Sequence, residues 1–311
     1  MTLRTTKCAN CSAEATVQCG TCMEAPEYKP GDSINTFYCT VACQKADFQN
    51  HKTHCRIRAQ RKRLLRAAII LKAALLIYSE PFYGRTIVAL DRLDKVLALP
   101  SNGGVVYYPP LDPASFLPNP SPAQREAVLM YSVCGGVATR LVCRLMHKLL
   151  ASLPCVVKQV EVVVETPSPK TRLLHNPQLV GQEHTVLKVE LLFGGGTWII
   201  DPAAAQFGVP DVLFPYDKYI SDRDADFVGE PETYNVTETE DIDYVLHELT
   251  TPVGGDMRDA LVSERPRRVR LASFVNTQVG NDILLGSTAE FEAKVEAFKE
   301  ALRSHMAAGS E

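Results

Sequence analysis

Residues 8–55 read CANCSAEATVQCGTCMEAPEYKPGDSINTFYCTVACQKADFQNHKTHC, and the spacing of the cysteines in this stretch decides how the amino-terminal part folds. The pattern is Cys8-x2-Cys11, Cys19-x2-Cys22, Cys39-x3-Cys43 and His51-x3-Cys55, four close pairs of soft or borderline ligands. Eight such ligands make two tetrahedral zinc sites. A Cys-x2-Cys knuckle turns two thiolates onto one ion, and a short helix carrying His51 and Cys55 places both on one face. Four protein ligands leave no position for an activated water, so the zinc is read as structural. The apolar residues of the stretch are too few to make a core, and metal must supply what burial does not. A redox dithiol or a set of unrelated buried cysteines is the competing interpretation. His54 is a rival ligand beside Cys55.

Outward from this stretch, seven of the ten cysteines lie before residue 56, and Cys134, Cys143 and Cys155 are scattered. Met1 to Asn10 has no apolar leader, so a metal framework is expected rather than disulfides. The longest apolar run, Ala67 to Tyr78, is too short to cross a bilayer and contains Lys72. The nucleus or cytoplasm is therefore the expected location. With 46% hydrophobic and 22% charged residues over 311 positions, collagen-like and wholly disordered chains are excluded, and the length suggests two units. A net charge of −3 argues against a generic nucleic-acid binder.

After the cysteine-rich part, residues 56–108 read as a helical connector. The bases Arg56, Arg58, Arg61, Lys62, Arg63 and Arg66 lead into Leu64, Leu65, Ile69, Ile70, Leu71, Leu75 and Leu76 at three- and four-residue steps, and the helical reading is carried to Leu99. The basic run is read as a solvated face in preference to a nuclear import signal or a phosphate contact. Residues 109–122, PPLDPASFLPNPSP, form a proline-rich linker of extended polyproline character. Residues 123–306 form the larger domain. Ala123 to Leu150 reads as one buried helix, or two broken near Gly135 and Gly136. Val156 to Thr166 and His184 to Phe193 read as strands, and Gly194 to Gly196 turn the chain into Thr197 to Asp201 as an antiparallel hairpin. A hairpin centred on Gly195 sets Asp201 opposite Val189. Ser221 to Asp243, with nine acids and one base, reads as a solvated loop. Ser287 and Glu290 form a capping-box pattern before Phe291, Val295, Phe298 and Leu302, an amphipathic helix.

The run Tyr38-Cys39-x3-Cys43-Gln44, with Phe48 and then His51-Lys52-x2-Cys55, resembles the MYND-type zinc finger over residues 8–55. Phe48 stands where that family commonly has Trp, and the gap from Cys22 to Cys39 is longer than in compact members. The resemblance implies an interleaved arrangement: Cys8, Cys11, Cys39 and Cys43 on one zinc, and Cys19, Cys22, His51 and Cys55 on the other. It also implies an adaptor that binds short proline-containing peptides of partner proteins and does not read nucleic acid. Pro109, Leu111 and Pro113 match the P-x-L-x-P form such peptides take, so the linker is a candidate intramolecular ligand, with a stiff spacer as the plainer reading. Methyltransferases in which a MYND finger is inserted into a SET domain are set aside. No Asn-His-x-Cys motif with a following cysteine-rich tail occurs.

The second domain carries Cys134-Gly135-Gly136-Val137-Ala138, His184-Thr185-Val186 and Trp198-Ile199-Ile200-Asp201-Pro202. This order is similar to the transglutaminase-like branch of the papain-like fold over residues 124–217. That resemblance implies a Cys134, His184 and Asp201 triad, in which a helix N-terminus and an imidazole favour the thiolate and a carboxylate orients the ring. Cys143 on the same apolar stretch shows that a cysteine can serve here as a small hydrophobe. The fold class expected is thus a small zinc-stabilised MYND finger followed by an α+β domain with a central buried helix and an antiparallel sheet. The preferred function is a zinc-dependent adaptor for proline-containing peptides. The alternative is a cysteine-dependent acyl transferase or amide hydrolase with the finger as targeting module.

Overall fold

The computed structural model describes residues 6–33, 35–80, 89–90, 96–99, 121–132, 136–164, 170–173, 182–248 and 255–308. The cysteine-rich part is built on a two-stranded ribbon, β1 (Val17–Gln18) against β2 (Phe37–Tyr38), with Val17 opposite Tyr38. Helix α1 (Val41–Ala46) follows, its N-terminus closed by Thr40, whose hydroxyl accepts from the Cys43 N–H at 3.2 Å. After one residue, Asp47, helix α2 runs from Phe48 to Ser79.

Helix α2 is the axis of the molecule. Its first turns carry His51 and Cys55, and its second half is mostly buried, with Leu64, Ile70, Leu71, Leu75 and Tyr78 inside and Leu65, Ile69 and Leu76 half-buried. The expected boundary between residues 55 and 56 therefore falls inside one helix. The helical reading to Leu99 is corrected: α2 ends at Ser79, ahead of Pro81, which has no N–H to continue the ladder. Ala89–Leu90 (β3) and Val96–Leu99 (β4) are paired strands instead.

Helices α3 (Pro122–Ser132) and α4 (Gly136–Leu150) follow, and the expected break near Gly135 lies outside the described residues. A five-stranded antiparallel sheet follows in the order β10-β5-β7-β8-β9, made of β5 (Cys155–Val164), β7 (Gln182–Leu191), β8 (Gly196–Ile200), β9 (Leu213–Pro215) and β10 (Ala225–Thr233). Strand β6 (Lys170–Leu173) pairs with β4. Between β9 and β10 lies α5 (Tyr216–Arg223), and α6 (Glu240–Asp243), α7 (Gly255–Gln278) and α8 (Thr288–Ala307) complete the chain. The Ser221–Asp243 loop is a further correction. Its middle, Ala225–Thr233, is the sheet's edge strand β10, whose acids sit on a largely exposed face and so satisfy both pairing and solvation, and its two ends belong to α5 and α6.

Alternation along the strands gives the sheet two different faces. Leu187, Val189, Leu191, Trp198 and Ile200 join the helical core of α2, α4, α7 and α8. Val160, Val162, Val164, Val186 and Ile199 pack on the opposite side against Phe207, Phe214 and Tyr219. The core's central element is α2, contributed by the segment read as a connector, with α4 laid between it and β7. The Ser287 capping box forms as read, opening α8. No helix among the described residues is long and apolar enough to cross a membrane.

Candidate functional site

In the amino-terminal part, the ligand atoms of Cys8, Cys11, Cys39 and Cys43 lie within 4.8 Å of one another, as do those of Cys19, Cys22, His51 and Cys55. The ribbon β1–β2 places the knuckle after Cys19 beside the start of α2, and α1 brings Cys43 back to Cys39 one helical turn away. The sulfurs of Cys11 and Cys39 are 3.5 Å apart, Cys43 and Cys11 3.8 Å, Cys19 and Cys55 3.8 Å, and Cys22 Sγ lies 3.4 Å from His51 Nε2. A tetrahedron with zinc–sulfur arms of about 2.3 Å has edges of about 3.8 Å. These spacings fit two zinc ions and are far too long for disulfides.

The acid–base chemistry of the thiols explains why a cation belongs there. Hydrogen bonding from Cys55, aided by the charge of Arg58, lowers the Cys22 thiol to about 5 despite its burial, while the same contact with Cys22 pushes Cys55 up. At the other cluster, hydrogen bonds with Cys43 and Cys11 push Cys39 up to about 12. One thiolate in each group thus resists ionisation of its neighbours, and a dication removes the conflict. Tyr38, fully buried between the clusters, donates to Asp47 Oδ2 at 2.9 Å, tying β2 to the start of α2. Burial, then the Asp47 carboxylate, raises the Tyr38 hydroxyl well above the usual tyrosine range.

The long gap from Cys22 to Cys39 is the device that fixes this unit to the second domain. Its Tyr28 ring packs on Trp198 at 5.3 Å, and Gly196 lies so close that an added Cβ would meet the Tyr28 ring at 2.7 Å. Arg61 of α2 lies over both rings, pairs with Asp32 Oδ2 at 2.9 Å, and donates from Nε to the Gly195 carbonyl at 3.1 Å. Arg58 donates to Ser33 O and Asn35 Oδ1, and Arg66 to the carbonyls of Leu284 and Gly286. The solvated-face reading of this basic run is therefore corrected. Arg58, Arg61, Lys62 and Arg66 are buried, because α2 is wrapped by the finger's loop on one side and by the second domain on the other. Tyr28, Asp32 and Trp198 carry this junction, and only the unusual length of the gap hinted at it.

In the second domain, His184 and Asp201 are brought together, with Nε2 and Oδ1 2.8 Å apart and both side chains buried. The hairpin is not centred on Gly195. Its turn spans Leu192 to Gly195, Leu191 pairs with Gly196, and Leu187 pairs with Ile200. Continued by one step, this register sets Asp201 opposite Val186, diagonal to His184 on the same face and within side-chain reach. Gln206 Nε2 lies 3.2 Å from His184 Nδ1, so both ring nitrogens are engaged. Asp201 also accepts from the Ala203 N–H at 3.1 Å and from the Tyr219 hydroxyl at 3.0 Å. Burial, then the Asp201 charge, raises Tyr219 far above its usual value. His184 shares its sheet face with Val186 and Phe207, whereas α4 packs on the other face. Cys134 and the Pro109, Leu111 and Pro113 motif lie outside the described residues. Cys143 is buried and Cys155 half-buried, and burial raises both thiols, Cys155 to about 11.

Comparison with curated proteins and with solved structures finds no match. No finding supports the transglutaminase-like resemblance of the second domain. A family model, the MYND finger, matches residues 8–55, the same span that holds both ligand clusters. Residues 8–55 are a MYND zinc finger, a zinc-binding module that generally mediates protein interactions.

Proposed function

We propose that the protein is a zinc-dependent adaptor whose finger binds proline-containing peptide segments of partner proteins, and whose second domain is the scaffold that holds the finger in place. The observation that carries this reading is the exposure of two large apolar side chains, Val41 and Phe48, on the helices that the zinc clusters organise. Each is more than half exposed, while Ala15, Val17, Phe37 and Tyr38 pack with the cysteines in a small cluster and Tyr28 packs on Trp198. Gln44 lies between them on α1, so the surface offers apolar contact with a polar edge, as a proline-rich segment requires. The scaffold role is supported by the His184 network. With both ring nitrogens engaged inside the sheet's far face, His184 and Asp201 serve as a brace between β7, β8 and α5. An acyl-transfer triad with Cys134 is not favoured.

The test uses a fluorescein-labelled peptide with a Pro-x-Leu-x-Pro core, titrated with the full chain and followed by anisotropy. Saturable binding that disappears on zinc chelation and in Phe48→Ala is the expected result. Binding that persists after chelation, or is absent from the protein carrying two zinc ions, overturns the reading.

A further inference from the structure

The β7–β8 hairpin presents a side chain the fold itself does not use. Phe193 is 62% exposed and holds a φ of +67°, a left-handed conformation that is unfavourable for a bulky residue. Backbone strain retained under an exposed ring directs attention to what the ring contacts. Within the molecule its partner is Arg56, whose guanidinium lies 5.3 Å from the ring centre. The tip does not swing freely, because Arg61 holds the Gly195 carbonyl and Tyr28 covers Trp198 just behind it.

On the finger side, Phe48, Lys52 and Arg56 follow one another at four-residue steps along α2 and line a shallow cavity of about 390 Å³ with Thr53 and Cys55. All three are exposed. Helix α2 contains no Asp or Glu; of its other bases, Arg58, Arg61, Lys62 and Arg66 are buried, Arg63 bonds Ser152 and Lys72 pairs with Glu126. Lys52 and Arg56 have no carboxylate within 4.0 Å among the described residues. This face is therefore apolar at Phe48, positive along Lys52 and Arg56, and apolar again at Phe193.

The geometry points to a composite docking surface, in which the finger's peptide site continues across the hairpin tip and takes an acidic flank of the same proline-containing peptide. The inference rests on the peptide-binding reading above and adds a charge requirement to it. Phe48 and Arg56 are about 12 Å apart along the helix at 1.5 Å per residue. An extended polyproline segment covers that distance in about four residues at 3.1 Å each. An apolar residue seated on Phe48 thus sets a carboxylate about four residues away beside Arg56, with its methylene stem on the Phe193 ring.

Two synthetic peptides test this. Both have a Pro-x-Leu-x-Pro core; one carries Glu four residues to each side of the Leu, the other Gln. Anisotropy titrations on the zinc-loaded full chain should show the Glu peptide binding about threefold more tightly at low salt, the scale of an exposed ion pair. That advantage should vanish near 1 M salt, where screening is short-ranged. Arg56→Glu should reverse the preference, and Phe193→Ala should weaken the Glu peptide about threefold. Two zinc ions per chain in each variant show that the finger is folded. Equal affinity for the two peptides, or a preference that survives Arg56→Glu, overturns the composite surface and leaves the finger's peptide binding standing. Binding of neither peptide removes the peptide-binding reading and this inference together.

Discussion

Arg61→Ala should loosen the finger from the second domain, and the structure sets the size of the effect. The side chain is 7% exposed and makes three kinds of contact. Its pair with Asp32 is partly open to water, because Asp32 is 28% exposed and rehydrates when released, so this contact contributes about 1 kcal/mol. The charge-assisted bond from Nε to the Gly195 carbonyl contributes about 1.5 kcal/mol. That carbonyl keeps the Trp198 indole N–H at 2.9 Å, so it is not left unsatisfied in the variant. Stacking over Tyr28 and Trp198 adds about 0.5–1 kcal/mol. The total is about 3 kcal/mol.

Trp198 is the single tryptophan of the chain and lies under Tyr28, so its emission reports this junction directly. Urea titrations of the zinc-loaded protein followed by Trp198 emission should place Arg61→Ala about 3 kcal/mol below the parent. Arg61→Lys, which keeps the charge but loses the planar fork, should fall between them. Combined with Asp32→Asn, the double-mutant cycle should return a coupling of about 1 kcal/mol. A loss under about 1 kcal/mol for Arg61→Ala, with both zinc ions retained, refutes the assignment of this guanidinium as the bolt between finger and domain.

Asp201→Asn exchanges an acceptor-only carboxylate for an amide facing three donors, His184 Nε2–H, the Ala203 N–H and the Tyr219 hydroxyl, and should cost about 2–4 kcal/mol in thermal unfolding. Tyr219→Phe removes one donor and should cost about 1 kcal/mol; near-neutral results for both would contradict a structural brace. The Glu290 carboxyl is held below its usual range by the Ser287 backbone N–H and hydroxyl, so its capping contribution is complete above the unfolded glutamate value of about 4.3 and is lost as pH falls through the lower folded value. The Ser287 amide resonance should therefore titrate below the usual glutamate range, and Glu290→Gln should abolish that titration.

What could be read from the sequence was what is encoded over short distances. The eight ligands are legible because a metal selects residue type and spacing, and the Ser287 capping box because its two bonds join residues three apart. The basic run was misread because its partners are remote: Arg61 bonds a carbonyl 134 residues away and Arg66 one 218 residues away. Six bases within eleven residues look solvated until remote loops and a hairpin supply carbonyls for Arg58, Arg61 and Arg66, while Arg56 stays exposed. The hairpin register was missed for a local reason. The glycine triplet suggests a turn at Gly195, but Phe193 itself takes a left-handed φ and moves the turn toward the amino-terminal side. In the acid-rich segment charge outweighed alternation in the reading, yet an edge strand accommodates charges on its open face.

The continuity of α2 gives these features a common mechanical sense. His51 and Cys55 fix the rotation of the helix at the finger end, and Leu64 through Tyr78 fix it at the core end. The distance from Cys55 to Leu64 is about 13 Å of unbroken helix. A helix that short does not act as a hinge, and it contains no proline or glycine at which to kink. The orientation of Phe48 relative to the hairpin tip is then set twice, once through the helix and once through Tyr28, Arg61 and Trp198. Zinc release would remove the first constraint and leave the second to Tyr28, Asp32 and Arg61 alone. In the composite surface proposed above, the metal thus acts on the orientation of Phe48 as well as on the fold of the finger.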